Sequence, residues 1–357
     1  MKAYVLKGIG QLEYEDVPMP QLQSGWAIVQ TGAAGICGSD IPRIFKTGTY
    51  HFPMIPGHEF SGKVVKISDE KHKGWLGKRA GIFPLIPCMK CAVCRTKQYE
   101  MCGNYDYLGS RCNGGFAEFS AVPVWNLIEL PKNMGMKEAA LLEPASVALH
   151  AVRRLKLQKE DFVVLLGLGT IGLLIVQWLR IMGIRKVLAS GHNQGHGQMM
   201  MKVASEDYQY LNLDRNPDKK FDMFSWVMQY TNGEGAAAVI DCIGDSESMK
   251  DCLDCVKPGG QVLSVGNPKG DICLEKDTYW KILRKQIRLT GTWNSSFYHR
   301  EEDDWHSVIK AYCKGALRLS ELITHELAFE QLHTGLDIIR NHEEYHNKIV
   351  ISNRSVI

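Results

Sequence analysis

"FVVLLGLGTIGLLIVQWL", residues 162–179, runs for eighteen residues without a charge, and its reading decides the fold. As one continuous helix it would have the length of a marginal membrane span. Gly167, Gly169 and Gly172 argue otherwise, because they interrupt the run where a strand, a tight turn and a helix would need them. The stretch therefore reads as a buried strand, a G-x-G-x-x-G turn and a buried helix. Glycines at that spacing permit a sharp turn and close backbone approach, and the helix start that follows suits a pyrophosphate.

Working outward, apolar strands "KVLAS", "AAAVIDCIG", "GQVLSVG" and "IRLTGTW" alternate with helical segments from about residue 146 onward. That alternation predicts βαβ units and a doubly wound parallel sheet, a Rossmann-type dinucleotide-binding domain over 146–292. Residues 1–145 have another texture. "AIVQTGAAGI", "GKVVKIS", "RAGIFPL" and "FAEFSAVPVWNLIEL" are short strand-like runs between Gly, Pro and polar turns. The tail, "LITHELAFEQLHTGLDIIRNHEEYHNKIVIS", reads as strand, helix, strand and is expected to return to the first domain, so that 293–357 complete it.

With 357 residues the chain exceeds what one core sustains, so two domains are expected. Lys+Arg 42 against Asp+Glu 39, with no long charged run, argues against nucleic acid or an anionic membrane as the main partner. "MKAYVLKGIG" carries no secretory pattern, and eleven cysteines in a long, core-rich chain suit a reducing compartment, so a cytoplasmic protein is expected.

Four of those cysteines, Cys88, Cys91, Cys94 and Cys102, fall in "PCMKCAVCRTKQYEMC" as C-x2-C-x2-C-x7-C. Two-residue gaps let one loop set several thiolates around a tetrahedral Zn²⁺. The ferredoxin-type run ends C-x3-C-P, and this one does not. Four thiolates fill every position on zinc, so the loop, 86–103, is read as a structural zinc lobe. Cys252 and Cys255 form a lone C-x2-C read as interior helix positions; Cys112, Cys242, Cys273 and Cys313 are read as packing residues, and His150 as a core histidine.

A catalytic zinc needs three protein ligands and one open position. "GICGSD" (35–40), "PGHEFSG" (56–62) and "LLEPASVALH" (141–150) supply candidates, each weak alone. In this order, with the cysteine loop, "GGFAEF" and the glycine turn, they resemble the zinc-dependent medium-chain alcohol/polyol dehydrogenases. "CGSDIPRIFKTG", "NYDYLGS" and "KILRKQIRLTGTW" are most similar to the sorbitol-dehydrogenase-like branch that contains galactitol-1-phosphate 5-dehydrogenase. The resemblance implies an α/β chain with a β-rich GroES-like catalytic domain joined to the Rossmann-type domain. It implies two Zn²⁺ per subunit, NAD or NADP, and a homodimer or homotetramer.

Residue by residue, the resemblance implies Cys37, His58 and Glu143 as catalytic zinc ligands. Glu59 becomes a nearby carboxylate that either approaches the metal or is held in a salt bridge. Asp40 would orient the ligand histidine, and Ser39 would bond the substrate alcohol and pass its proton outward. Zinc in that role makes a bound alcohol more acidic, and the nicotinamide takes its hydride.

The nucleotide turn supplies Gly167, Gly169, Thr170, Ile171 and Gly172 as cofactor-binding residues. The second strand departs from expectation. An acidic residue should end it and bond the ribose, but Gly191 stands there, beside Ser190 and His192, and no Asp or Glu occurs between Gly172 and Glu206. Small residues at that place would admit a 2′-phosphate, so NADP is expected to serve at least as well as NAD. Arg43 and Lys46 suit a substrate phosphate; Trp293 and Asn294, just past the last strand, suit ligand contact. The expected reaction is hydride transfer between NAD(P) and a secondary alcohol of a polyol or sugar-alcohol phosphate. Free-polyol or threonine dehydrogenation is the alternative within the same fold. A zinc-ribbon-like binding module leaves Cys37, His58, Glu143 and the glycine turn unexplained, and a zinc-free quinone-reductase relative would lack the cysteine loop.

Overall fold

The computed structural model describes residues 1–215, 222–268, 270–342, 344–353 and 356. The chain forms two compact units, one of Met1–Ser146, Ser295–Gly315 and Leu319–Ile357, the other of Val147–Asn294 and Ala316–Arg318.

In the second unit, six parallel strands lie in the order Gln209–Asn212, Lys186–Gly191, Phe162–Leu166, Ala236–Asp241, Val256–Ser264, Arg288–Gly291. Numbered along the chain, that is 3-2-1-4-5-6, with the order reversing beside the first strand, where ligands bind in such sheets. Strands buried on both faces read as continuous apolar runs, and every residue of Ala236–Asp241 is buried. Val164, Leu166, Leu188, Val239 and Val262 pack with Trp226, Val227 and Leu253 in one cluster. Each fully buried Val or Leu there contributes about 1.5–3 kcal/mol. The eighteen-residue apolar run is split as its glycines predict: strand Phe162–Leu166, turn, helix Thr170–Ile181. Among the described residues no helix is long and apolar enough to cross a membrane.

The first unit is built on a seven-stranded sheet. Its path is Ile323–Ala328, Lys348–Ser352, Trp26–Ile36, Glu59–Ile67, Arg79–Ile82, Leu127–Glu129, with Phe119–Pro123 also paired to Trp26–Ile36. The C-terminal segment does return: Lys348–Ser352 runs antiparallel to Trp26–Ile36. A hairpin of Lys2–Gly8 and Gln11–Asp16, which the sequence reading passed over, adds a small second sheet. Val29, Phe60, Val64, Ile82, Ile349 and Ile351 belong to the shared core.

Candidate active site

Strand register brings the first two site residues together. Trp26–Ile36 pairs antiparallel with Glu59–Ile67, and Gly35 faces Glu59. Cys37, just past the end of one strand, therefore lies beside Gly57 and His58, just before the start of the other. Gly57 has φ +92, and a Cβ on it would come within 2.6 Å of the Phe116 ring, so the approach to His58 can be made only by glycine. Ligand atoms of Cys37, His58 and Glu59 all lie within 4.8 Å of one another.

The carboxylate in that group is Glu59, and Glu143, the third ligand that the resemblance implies, stands near enough to feel the charges of His58 and Glu59. Glu59 joins Cys37 and His58, whereas Glu143 is not among the three. Glu143 enters from the first turn of the helix Leu142–Arg153 and accepts a 3.2 Å hydrogen bond from the Tyr107 hydroxyl. Glu59 also carries a salt bridge: Lys348 Nζ donates to Glu59 Oε2 at 2.6 Å and to the Ile36 carbonyl at 3.2 Å. The pair is almost fully buried, at 3% and 1% exposure. Burial works against the Lys348 charge, but Glu59, Cys37 and Glu143 outweigh it and raise its pKa.

The surrounding charges form a connected set. Asp40 is fully buried; its Oδ2 accepts from the Cys37 N–H at 3.0 Å and its Oδ1 from Arg43 Nη1 at 2.7 Å. Asp40 Oδ1 stands 3.6 Å from His58 Nδ1, an ion-pair separation, and His58 Nδ1 has no hydrogen-bond partner among the described residues. Burial works against both charges, yet each helps the other: Asp40 is held below the ordinary carboxylate value, and Asp40 with Cys37 raises His58 well above the ordinary imidazole value. Burial, with Glu59 nearby, pushes Glu143 up to about 7, against the opposing pull of His58, Lys348 and Tyr107. Burial and Glu143 hold the Tyr107 phenol well above its usual range. Ser39 Oγ donates to Cys37 Sγ at 3.3 Å. A thiolate, an imidazole and a carboxylate so close together fit the donor set of a catalytic Zn²⁺ with a position left for a further oxygen.

Of the two cations read as suiting a substrate phosphate, Arg43 is paired with Asp40, and Lys46, one turn on, is exposed. Tyr107 and Lys348 were not read from the sequence. Nothing local marks them, since each comes from a segment distant in the chain from its partner.

The four-cysteine loop closes on itself. Cys91 Sγ lies 3.4 Å from Cys94 Sγ and 3.9 Å from Cys102 Sγ, and Cys88 Sγ lies 3.9 Å from Cys94 Sγ. Tetrahedral Zn–S bonds of about 2.3 Å put sulfurs about 3.8 Å apart. Backbone N–H groups of Lys90 and Cys91 aim at Cys88 and bring its thiol down to about 6. Burial and the adjoining sulfurs push Cys94 up to about 12, a repulsion that a divalent cation at the centre relieves. Elsewhere Cys252 and Cys255 are buried as expected, but Cys273 and Cys313 are exposed and His150 is half-buried, so those three are not core residues.

In the second unit, Gly167 has φ +89, and a Cβ on Gly172 would sit 2.4 Å from the Gly167 carbonyl oxygen. That contact draws helix Thr170–Ile181 tight against its strand. Gly169 caps the helix, and a Cβ there would meet nothing within 4 Å, so its face of the turn is open. Asp241, missed in the sequence, ends the neighbouring strand and accepts from the N–H groups of Ile243 and Gly244 at 2.9 and 3.1 Å, shaping the loop against which Gly167 packs. Ser190 is buried, Trp293 exposed and Asn294 buried.

A parallel sheet with an open glycine turn, and a β-rich unit with one open and one closed metal-binding cluster, define a metal- and nucleotide-dependent dehydrogenase. Two family models match along the chain, the alcohol dehydrogenase GroES-like domain over residues 23–132 and the zinc-binding dehydrogenase over 170–314. The chain belongs to the zinc-binding medium-chain dehydrogenases: it is an oxidoreductase that uses Zn²⁺ and NAD(P). It is 28% identical to galactitol 1-phosphate 5-dehydrogenase of Escherichia coli (strain K12) over 346 residues, 96% of this chain and 97% of that one. It is 26% identical to D-arabitol-phosphate dehydrogenase of Enterococcus avium, over 94% of this chain and 93% of the relative. The crystal structure of galactitol-1-phosphate dehydrogenase from Escherichia coli superposes with a TM-score of 0.85 over 99% of this chain and 100% of that chain, at 28% identity.

Proposed function

We propose that this zinc-dependent dehydrogenase oxidises, reversibly, a secondary alcohol of a sugar-alcohol phosphate or free polyol, with Cys37, His58 and Glu59 holding the catalytic metal. The observation that carries the proposal is the convergence of those three donors beside the Ser39 hydroxyl. When bound, Zn²⁺ supplies a Lewis acid that makes an alcohol more acidic, and NAD(P)⁺ supplies the hydride acceptor. Ser39 takes the hydroxyl proton and passes it outward as the carbonyl forms and the hydride leaves. Lys348 and Ile36 fix one carboxylate oxygen of Glu59, and Asp40 with the Cys37 N–H fixes the turn that presents the thiolate. Glu143, anchored by Tyr107, is a second carboxylate near the cluster. Cys88, Cys91, Cys94 and Cys102 hold the structural zinc. Gly167, Gly169, Thr170, Ile171 and Gly172 take the pyrophosphate.

The phosphate half of the substrate reading is supported by the sugar-phosphate names among the relatives and by Lys46, with Arg43 contributing from its place on Asp40. Trp293 and Asn294 remain proposed substrate contacts. The enzyme is proposed to be cytoplasmic, since none of its eleven cysteines is in a disulfide. It is also proposed to form homo-oligomers through its second unit, whose outer strand Arg288–Gly291 is largely exposed. The test is a panel of phosphorylated and free alcohols, threonine included, assayed by absorbance of the reduced nicotinamide with and without chelator. Chelator-sensitive turnover of a polyol or its phosphate is expected. Turnover confined to threonine, or unaffected by removal of all zinc, would overturn the proposal.

A further inference from the structure

The second strand of the nucleotide unit ends at Gly191 without the expected acid, but the third strand brings one to the same place. Gly191 pairs with Asn212, so the loops leaving the two strands start side by side. His192 follows one strand, and Asp214 sits in the helical turn Leu213–Arg215 after the other. His192 Nδ1 lies 2.8 Å from Asp214 Oδ1, and both side chains are outward-facing, 68% and 61% exposed.

The two loops are held by bonds independent of that pair. Tyr210 Oη donates to the Asn193 carbonyl at 2.7 Å, Asn212 Nδ2 to Gln194 Oε1 at 3.3 Å, and Asn212 Oδ1 accepts from the Asp214 N–H at 3.1 Å. Gly191 adjoins the glycine turn: a Cβ on it would lie 3.7 Å from the Leu168 nitrogen. The adenosine ribose of a dinucleotide on that turn is read at this end of the second strand.

We infer that Asp214, reached through His192, is this chain's cofactor-discriminating carboxylate, relocated from the second strand to the third, and that it favours NAD over NADP. The chemistry follows from charge. The carboxylate fixes the imidazole as an Nδ1–H donor and leaves the pair a hydrogen-bonding edge for a 2′-hydroxyl. A 2′-phosphate would bring a second anion against Asp214, and like charges at close range repel. This runs against the expectation, drawn from Ser190, Gly191 and His192 and the lack of an acid between Gly172 and Glu206, that NADP serves at least as well. The inference rests on the nucleotide-binding reading of the second unit.

The test is equilibrium binding of NAD⁺ and NADP⁺ by calorimetry to the zinc-loaded enzyme and to Asp214→Asn and His192→Gln, with thermal melts as a folding check. Wild type is expected to bind NAD⁺ more tightly. Asp214→Asn should shift the NADP⁺/NAD⁺ Kd ratio toward NADP⁺ by about tenfold, the effect of losing one close charge. His192→Gln keeps the carboxylate and should keep the order of preference. A ratio shifted less than threefold in Asp214→Asn, or tighter NADP⁺ binding by wild type, would overturn the inference. Failure of wild type to bind either dinucleotide would instead sink the nucleotide reading beneath it.

Discussion

Glu59 has two suitors, the metal and Lys348, and the balance between them is the most consequential feature at the scale of single residues. Removing one member of a buried ion pair leaves the other uncompensated, at a cost of about 3–5 kcal/mol. Lys348→Met should therefore destabilise the chelated protein by that amount and the zinc-loaded protein by less, because the ion takes over as the counter-charge to Glu59. Thermal melts of both forms check this; equal losses would argue that Glu59 does not meet the metal. Glu59→Gln and Glu143→Gln separate the two carboxylates: the first should lose catalytic zinc under mild dialysis, leaving about one equivalent, and the second should retain it. Protonation runs in the same direction. His58 is raised and Glu143 is pushed up to about 7, so the metal-free fold holds protons that an unfolded chain with ordinary values, about 6.5 and 4.3, would have released. The stabilisation from those protons is complete at low pH and is lost as pH rises through the raised values. Zinc needs its ligands deprotonated, so its affinity should increase from pH 6 to pH 8. The increase should be shallower in Glu143→Gln, measured by competition against a chelator of known pH dependence.

At the scale of elements, the turn between strand Phe162–Leu166 and helix Thr170–Ile181 depends on one close contact. Gly172→Ala places a methyl group 2.4 Å from the Gly167 carbonyl oxygen, and the helix must move away. Such overpacking costs about 1–3 kcal/mol, and nucleotide affinity should fall by at least tenfold, because the helix start no longer faces the pyrophosphate. Calorimetric titration with NAD⁺ alongside a thermal melt checks both. This turn and the four-cysteine loop were legible in the sequence because their chemistry is local: glycines and thiolates a few residues apart can be read without knowing what lies across the fold. The alternation of strands and helices was legible for the same reason, since burial on both faces writes an unbroken apolar run. The placement of Glu59 against Cys37 and Lys348 was not legible. It depends on the register between Trp26–Ile36 and Glu59–Ile67 and on Lys348, nearly three hundred residues from Glu59 in the chain. Asp214 was no more legible, because an acid is expected at the end of the second strand and this one stands in the turn that follows the third, beside His192. Cys273 and Cys313 misled in the opposite sense: an apolar residue type reads as buried until the helix or loop that carries it turns outward.

At the scale of the whole molecule, the second unit's sheet ends in two edge strands among the described residues, and one of them is the more exposed. Arg288–Gly291 is the last strand in the order, with Leu289 49% exposed, and Tyr279, Trp280 and Leu283 are also exposed on the helix Lys276–Arg284 that precedes it. An unpaired sheet edge is a template for strand addition unless it is covered, and a cluster of large exposed apolar side chains marks an interaction surface. At the opposite edge every residue of Gln209–Asn212 is half-buried, so the asymmetry points to one side of the sheet. A second copy of the chain meeting this edge about a two-fold axis would pair the strand with itself and bury both sets of side chains. Leu289→Lys combined with Leu283→Lys should then convert a dimer to a monomer, or a tetramer to a smaller species, by light scattering behind gel filtration. The two zinc equivalents should be retained, because both metal clusters lie in the first unit and draw every ligand from it. An unchanged mass would remove this edge as the interface and leave the exposed aromatic residues to be explained by another partner.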